Sequence, residues 1–571
     1  MAPKILHFDW VEYSVFAGML GVSAMIGIFF GCIKKKGQDT VDGYFLGGKE
    51  MGLIPVSISL IFGFISGVTL LGTPSEIYTF GLQYVACLFC LVPNGLITSE
   101  VFLPVFYKLQ LISVYQYMEM RFNKTVRNVV SFLFMISLFA YIPTVIYAPA
   151  LALNQVSGTD VYLVSMIIGV ICIFYTSIGG LKAVVWTDTF QGTITLLSVI
   201  AVAVIGTIKV GGVSYVFQSA IEGERTQLFR MDFDPRIRTT FWSVFFGVSV
   251  LWTGGSTINP SAVQRFVSLK TLREAKWAVF NFMFGGLVLF SFSAYMGLVI
   301  YAQYKGCDPQ TSGMIERPDQ ILPHFILDVA GNVKGLPGLF LAGVVCAGLS
   351  TMSAGLNTVS GTIYEDFIEP LISKKTRETK AAMIMQAIVV VYGILCLLLI
   401  MVIDKMGSLI ELSNSLGGLT NGTLLGMFVL GMFFPHANSI GTTVGGLVSL
   451  LVMGWIVVAS TAAIAAGDVV QAVKPVSIDS CPFNITALNV TLPPQEDVFG
   501  NTFYLYEISP FYYSAIGCFT AIVLGIFVSY LTGPTELKDL DRILLSPYIY
   551  GSLPATTYST VPTKETELIN L

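Results

Sequence analysis

Charge is scarce in this chain: only 12% of its 571 residues are Asp, Glu, Lys or Arg, half the roughly 25% of an ordinary soluble domain. Histidine is scarcer still. His7, His324 and His436 stand far apart, so no metal cage is expected. Of nine cysteines, only Cys87 and Cys90 form a CxxC, and it lies inside an apolar run where packing is the simpler reading. No basic tract interleaved with aromatics points to nucleic acid. No HExxH, GxSxG or paired-aspartate motif is present, which argues against an enzyme and leaves no cofactor beyond a coupling ion. There is no short signal core either: the first apolar run is too long for one and meets Lys34, Lys35 and Lys36 at its end.

Apolar residues are plentiful, at 54%. They fall in runs of about 20, the length a helix needs to cross ~30 Å of hydrocarbon, so the expectation is an all-α polytopic membrane protein. About thirteen candidate spans can be drawn, near 11–33, 52–80, 83–107, 128–153, 160–180, 187–210, 240–263, 275–303, 336–361, 382–404, 409–434, 438–466 and 511–532. The odd number puts the termini on opposite sides. An extracellular N-terminus and a cytoplasmic C-terminus leave 20 of the 31 Lys and Arg inside, the expected bias. Residues 1–532 are thus expected to be the transmembrane domain, with 467–510 an extracellular loop. That loop carries sequons at Asn484 and Asn489, which suit a plasma-membrane glycoprotein. Asn123 and Asn421 also head sequons but fall inside and within a span, so neither is expected to be used. Cys307 and Cys481 are the cysteines of the external loops; a disulfide and two free thiols are both open there. Residues 533–571 lack apolar periodicity and read as a disordered cytoplasmic tail whose ending, Ile569-Asn570-Leu571, offers a site for an adaptor.

Many secondary transporters hold their sites mid-membrane, where helices of two inverted repeats unwind. The pointer is a pair of spans interrupted by Gly or Pro at matching positions. Here the second span runs through Gly63, Ser66 and Gly67 to Gly72 and Pro74. The seventh runs through Gly254, Gly255, Ser256 and Thr257 to Pro260. Five spans separate them, so they cross in opposite directions, as an inverted repeat requires. An unwound turn frees backbone carbonyls that must find partners or line a cavity, and such oxygens suit sodium. The ninth span adds the hydroxyls of Ser350 and Thr351. Asp188 opens the sixth span, where a functional acid and a helix cap are both open readings. Glu76 and Glu411 stand in or near spans with no role assignable from chemistry alone.

Gly179–Gln191 (GGLKAVVWTDTFQ), Gly72–Glu76, Val263-Gln264-Arg265, Ser350-Thr351 and Gly426–Phe433 together resemble the sodium/solute symporter family, over spans two to twelve. The last of these and the span count look most like the branch of iodide, monocarboxylate and multivitamin transporters. The resemblance implies a LeuT-like fold of five-plus-five inverted repeats. It also implies a sodium site made by the carbonyls of Phe62, Ile65 and Ala347 and the hydroxyls of Ser350 and Thr351, supported by Asp188. Phe64 and Thr69, where sugar carriers of the family present polar groups, disfavour sugar. With Ser256, Thr257 and Asn414 they outline a pocket for a small organic anion, a monocarboxylate or a vitamin carboxylate. Thr69 also departs from the glutamine of the iodide branch. A sensor of the same fold and an iodide carrier are the competing readings.

Overall fold

The computed structural model describes residues 10–29, 51–111, 113–331, 333–403, 408–481, 493–500, 502–537 and 540–553. Lys34–Lys36, both loop sequons and the end of the tail lie outside the described residues. Among the described residues the spans are carried chiefly by the helices α1 (Trp10–Ile28), α2 (Leu53–Phe64), α3 (Gly67–Phe80), α4 (Cys87–Leu96), α5 (Lys124–Ser157), α6 (Val161–Val210), α7 (Ser249–Thr257), α8 (Pro260–Val267), α9 (Leu272–Tyr304), α10 (Leu336–Ile363), α11 (Lys374–Ile403), α12 (Leu409–Phe433), α13 (Ser439–Ala466) and α14 (Tyr513–Leu531). Among the described residues, 11 helical stretches are long and apolar enough to cross a membrane, or 12 with the bent pair α2–α3 taken as one span. The expected seventh span, at 240–263, does not meet that test. It is divided into a π-helical stretch at Ser243–Val248 and the short helices α7 and α8.

The breaks have identifiable local causes. α2 stops at Phe64 because Ile65 takes an extended backbone (φ −86°, ψ 100°). Ser66 then starts α3, its Oγ accepting the Val68 amide at 3.2 Å, and the two helices meet at 56°. α7 stops at Thr257. Asn259 caps α8 by accepting the Ser261 amide at 2.9 Å, and Pro260 fills the first helical position, where a missing N–H leaves no bond unmade.

The boundary expected between the fifth and sixth spans is not a loop. α6 keeps helical backbone from Val161 to Val210, although its two apolar stretches, Val161–Ile178 and Ala183–Val210, qualify as separate spans. Asp188 therefore lies within a helix, and the capping reading for it falls. α10 is the buried axis of the molecule, with 94% of its apolar window covered. It packs against α6 and α5.

Segments expected on one side of the membrane do meet at one end. There Cys307 and Cys481 form a disulfide, a short ribbon pairs Val469–Val470 with Val498–Phe499, and Lys474 donates its amide to Thr79 O at the end of α3, 2.8 Å away. Buried Arg225 ties the same loop down through Tyr78 O (2.7 Å) and Pro475 O (3.0 Å), with its guanidinium 3.6 Å from the Tyr301 ring centre. Glu76 and Glu411 both reach Arg238 at this end: Glu76 through two bonds of 3.2 and 3.0 Å, Glu411 at 3.5 Å. Asn123 is occupied as the cap of α5, accepting the Val126 amide at 3.0 Å.

Candidate functional site

At the first break the Thr69 amide bonds Ser66 O at 3.1 Å, so the helical ladder does not run on through Ile65. α10 fills the gap. Ser350 Oγ reaches the carbonyl of Phe62, with Ala347 O 3.2 Å away, and Thr351 Oγ1 lies 3.1 Å from that same Ala347 O. Phe62, Ala347, Ser350 and Thr351 are thereby gathered into one cluster of oxygens, and Ile65 adjoins it on the wall of a central cavity. This close approach depends on Gly192 of α6. A Cβ there would fall 2.0 Å from the Phe62 ring, so the ring would have to shift to admit it.

One helical turn before Gly192 stands Asp188, with no exposed surface. Its Oδ2 accepts from Ser59 Oγ at 2.7 Å and from Arg265 Nη2 at 3.0 Å. Arg265 also donates to Ser59 Oγ (2.9 Å) and Ser261 O (3.0 Å). One buried pair thus joins α2, α6 and α8 on the far side of the site from the disulfide loop. Asp188 Oδ1, equally buried, has no hydrogen-bond partner among the described residues. An acid with one oxygen committed and one free can serve a cation or a proton.

Between the breaks lies a cavity of about 230 Å³, below the ~300–1,000 Å³ of pockets for drug-sized ligands. Phe64, Thr69, Ser256 and Asn414 all line it, and Thr351 faces it from the oxygen cluster. Thr257 does not: its Oγ1 returns to Thr253 O at 2.6 Å, one turn back in its own helix. Several wall residues escaped the sequence reading, among them Asn94, Tyr141, Trp252 and Asn421. A buried amide in an apolar span was the signal available for Asn94. Among the described residues, no Asp, Glu, Lys, Arg or His lines the cavity.

Two broken spans bordering one cavity, with a cluster of oxygens at the first break, are the architecture of a secondary transporter. The model of the sodium:solute symporter family matches residues 44–449, and the chain belongs to that family. It is 37% identical over 551 residues to the mouse sodium-coupled monocarboxylate transporter 2, covering 95% of this chain and 87% of the relative. It is 36% identical to the Xenopus laevis sodium-coupled monocarboxylate transporter 1, over 95% and 89% of the two chains. It is 37% identical to the rabbit sodium-dependent multivitamin transporter, over 92% and 83%. In fold it is similar to the substrate-bound outward-open state of a Na+-coupled sialic acid symporter: TM-score 0.75, 22% identity, 93% of this chain and 99% of that one. The protein is a multi-pass, sodium-coupled solute symporter with the LeuT-like fold, and not an enzyme.

Proposed function

We propose that the carried solute is a small organic anion, a monocarboxylate or a vitamin carboxylate, taken up with sodium by alternating access. The observation that carries this reading is the cavity wall: neutral hydroxyl and amide groups among aromatic rings, without a fixed charge, beside a cluster of hard oxygens. A fixed acid would repel an anion. A fixed base would hold it after sodium had left. With neither, the anion's charge is balanced by the co-transported ion, and the two leave together. The relatives named for monocarboxylates and vitamins point the same way.

In this reading sodium is held by the carbonyls of Phe62, Ile65 and Ala347 and by Ser350 and Thr351, with Asp188 supporting from the neighbouring turn. Phe64, Thr69, Ser256 and Asn414 face the solute. The disulfide loop is extracellular in the plasma membrane, with Asn484 and Asn489 glycosylated. The N-terminus is then extracellular, and the tail is cytoplasmic and free to engage an adaptor. One sodium with one monovalent anion moves no net charge, so the ~2.3 kcal/mol per charge available from 100 mV contributes only if a second ion travels.

The test is uptake of labelled butyrate, lactate, biotin and iodide into cells expressing the chain, in sodium and in choline. Sodium-dependent uptake of a carboxylate is expected. Uptake of iodide alone, or of none from protein at the cell surface, overturns the assignment.

A further inference from the structure

Asn94 sits on α4, outside both broken spans, 2% exposed and on the cavity wall. Its side-chain oxygen is fully committed. Ser256 Oγ donates to Oδ1 at 2.7 Å and Thr98 Oγ1 at 3.3 Å, and those two hydroxyls lie 3.1 Å apart. The amide thus turns its oxygen toward both hydroxyls. The nitrogen must then face the other way. Its one partner among the described residues is the thioether of Met283, 3.8 Å off and also on the cavity wall. A thioether is a weak acceptor, and the amide nitrogen carries two N–H donors. A buried donor so poorly met is costly unless something else fills it. Asn414, across the cavity, has no hydrogen bond among the described residues to orient its amide, so it can turn either end to a solute.

We infer that Asn94 Nδ2 is the donor that receives the solute's carboxylate, and that Ser256, beside it on the wall, acts as its positioning residue. This rests on the organic-anion reading above. Such a site is selective by sign: an oriented NH2 rewards an acceptor-only carboxylate and gives nothing to a solute that offers a donor at the same point. It leaves nothing charged behind once the carboxylate departs.

The experiment compares sodium-dependent uptake of nicotinate and nicotinamide, equal in shape but differing at the carboxylate, in the full-length protein and in Asn94→Asp, Asn94→Gln and Ser256→Ala. Asn94→Asp keeps the acceptor that Ser256 and Thr98 need and removes the donor. Its KM for nicotinate is expected to rise by about tenfold or more, through the lost hydrogen bond to a charged group and the carboxylate put in its place, while sodium-dependent charge movement without solute persists. Asn94→Gln, which keeps an NH2, should retain most uptake and stands in if Asn94→Asp fails to reach the surface. Ser256→Ala should raise KM for nicotinate with kcat held, because a freed amide spends part of its time reversed. Unchanged nicotinate KM in Asn94→Asp, or full loss in Asn94→Gln at normal surface level, overturns the inference. Absence of any carboxylate uptake by the unaltered protein overturns the organic-anion reading itself.

Discussion

The break between α2 and α3 and the break between α7 and α8 occupy matching places in the two repeats but present different chemistry. At the first, what faces the interior is backbone and hydroxyl oxygen: Phe62 O met by Ser350, with Ala347 O and Thr351 alongside. At the second, the neighbouring α7 offers a side chain, Ser256, already spoken for by Asn94. The charged groups follow the same division. Asp188 and Arg265 stand behind the first break, and among the described residues the cavity before the second carries no Asp, Glu, Lys, Arg or His. In the proposed function the first break holds the ion and the second borders the solute, so that two geometrically related interruptions would act as one coupled device.

The double variant Ser350→Ala, Thr351→Ala breaks that division hardest. It removes both hydroxyls and leaves the solute wall intact apart from the Thr351 edge. Sodium-dependent uptake is expected to be lost entirely, while the protein still reaches the surface. Retained uptake with unchanged sodium dependence would show that the first break does not hold the ion.

Arg265→Ala comes next. Arg265 is 1% exposed and Asp188 not at all, and removing one partner of a buried pair leaves an uncompensated charge, typically worth about 3–5 kcal/mol. Most of the protein should fail to mature, with a fall in melting temperature of the purified remainder. Adding Asp188→Asn to Arg265→Ala should recover part of the surface expression but not the transport. Full recovery of transport would reduce the pair to scaffolding.

Gly192→Ala sharpens the comparison without removing any polar group. The new methyl must push the Phe62 ring, and the Phe62 carbonyl moves with it. The expected result is a severalfold rise in the sodium concentration for half-maximal uptake at little cost in solute KM, measured by sodium titration. A rise in solute KM alone would place Phe62 on the wrong side of the division.

Much of this was legible beforehand, for physical reasons. Runs of apolar residues report membrane crossing because lipid accepts nothing else, and the Gly, Ser and Pro content of two such runs reported the breaks. Ser350 and Thr351 became legible through resemblance, since a hydroxyl in an apolar helix usually bonds back to its own backbone; here both lie near Ala347 O, and Ser350 also reaches Phe62. What stayed hidden was anything set by the third dimension. Glu76 and Glu411 lie far apart in sequence and are joined only by Arg238, from a loop between the repeats. Asp188 looked like a helix start because it opens the sixth apolar run, yet α6 begins at Val161 and continues through it. Asn94 carries no motif, and the role inferred for it rests on the orientation of a single amide.

Thr257 supplies the finest test, because sequence alone made it equal to Ser256. Adjacent residues on a helix point about 100° apart, so a cavity that receives one hydroxyl need not receive the other. Ser256 Oγ leaves its helix for Asn94, whereas Thr257 Oγ1 folds back onto Thr253 O, a bond a helix tolerates but does not require. Thr257→Ala should therefore leave both sodium activation and solute KM within about twofold, with Ser256→Ala shifting solute KM well beyond that. The measurement is a pair of uptake titrations at matched surface expression. Equal effects of the two substitutions would mean that α7 turns during transport and brings Thr257 to the solute in another state of the cycle, in which case the second break is the moving part and its wall changes between the two faces of the membrane.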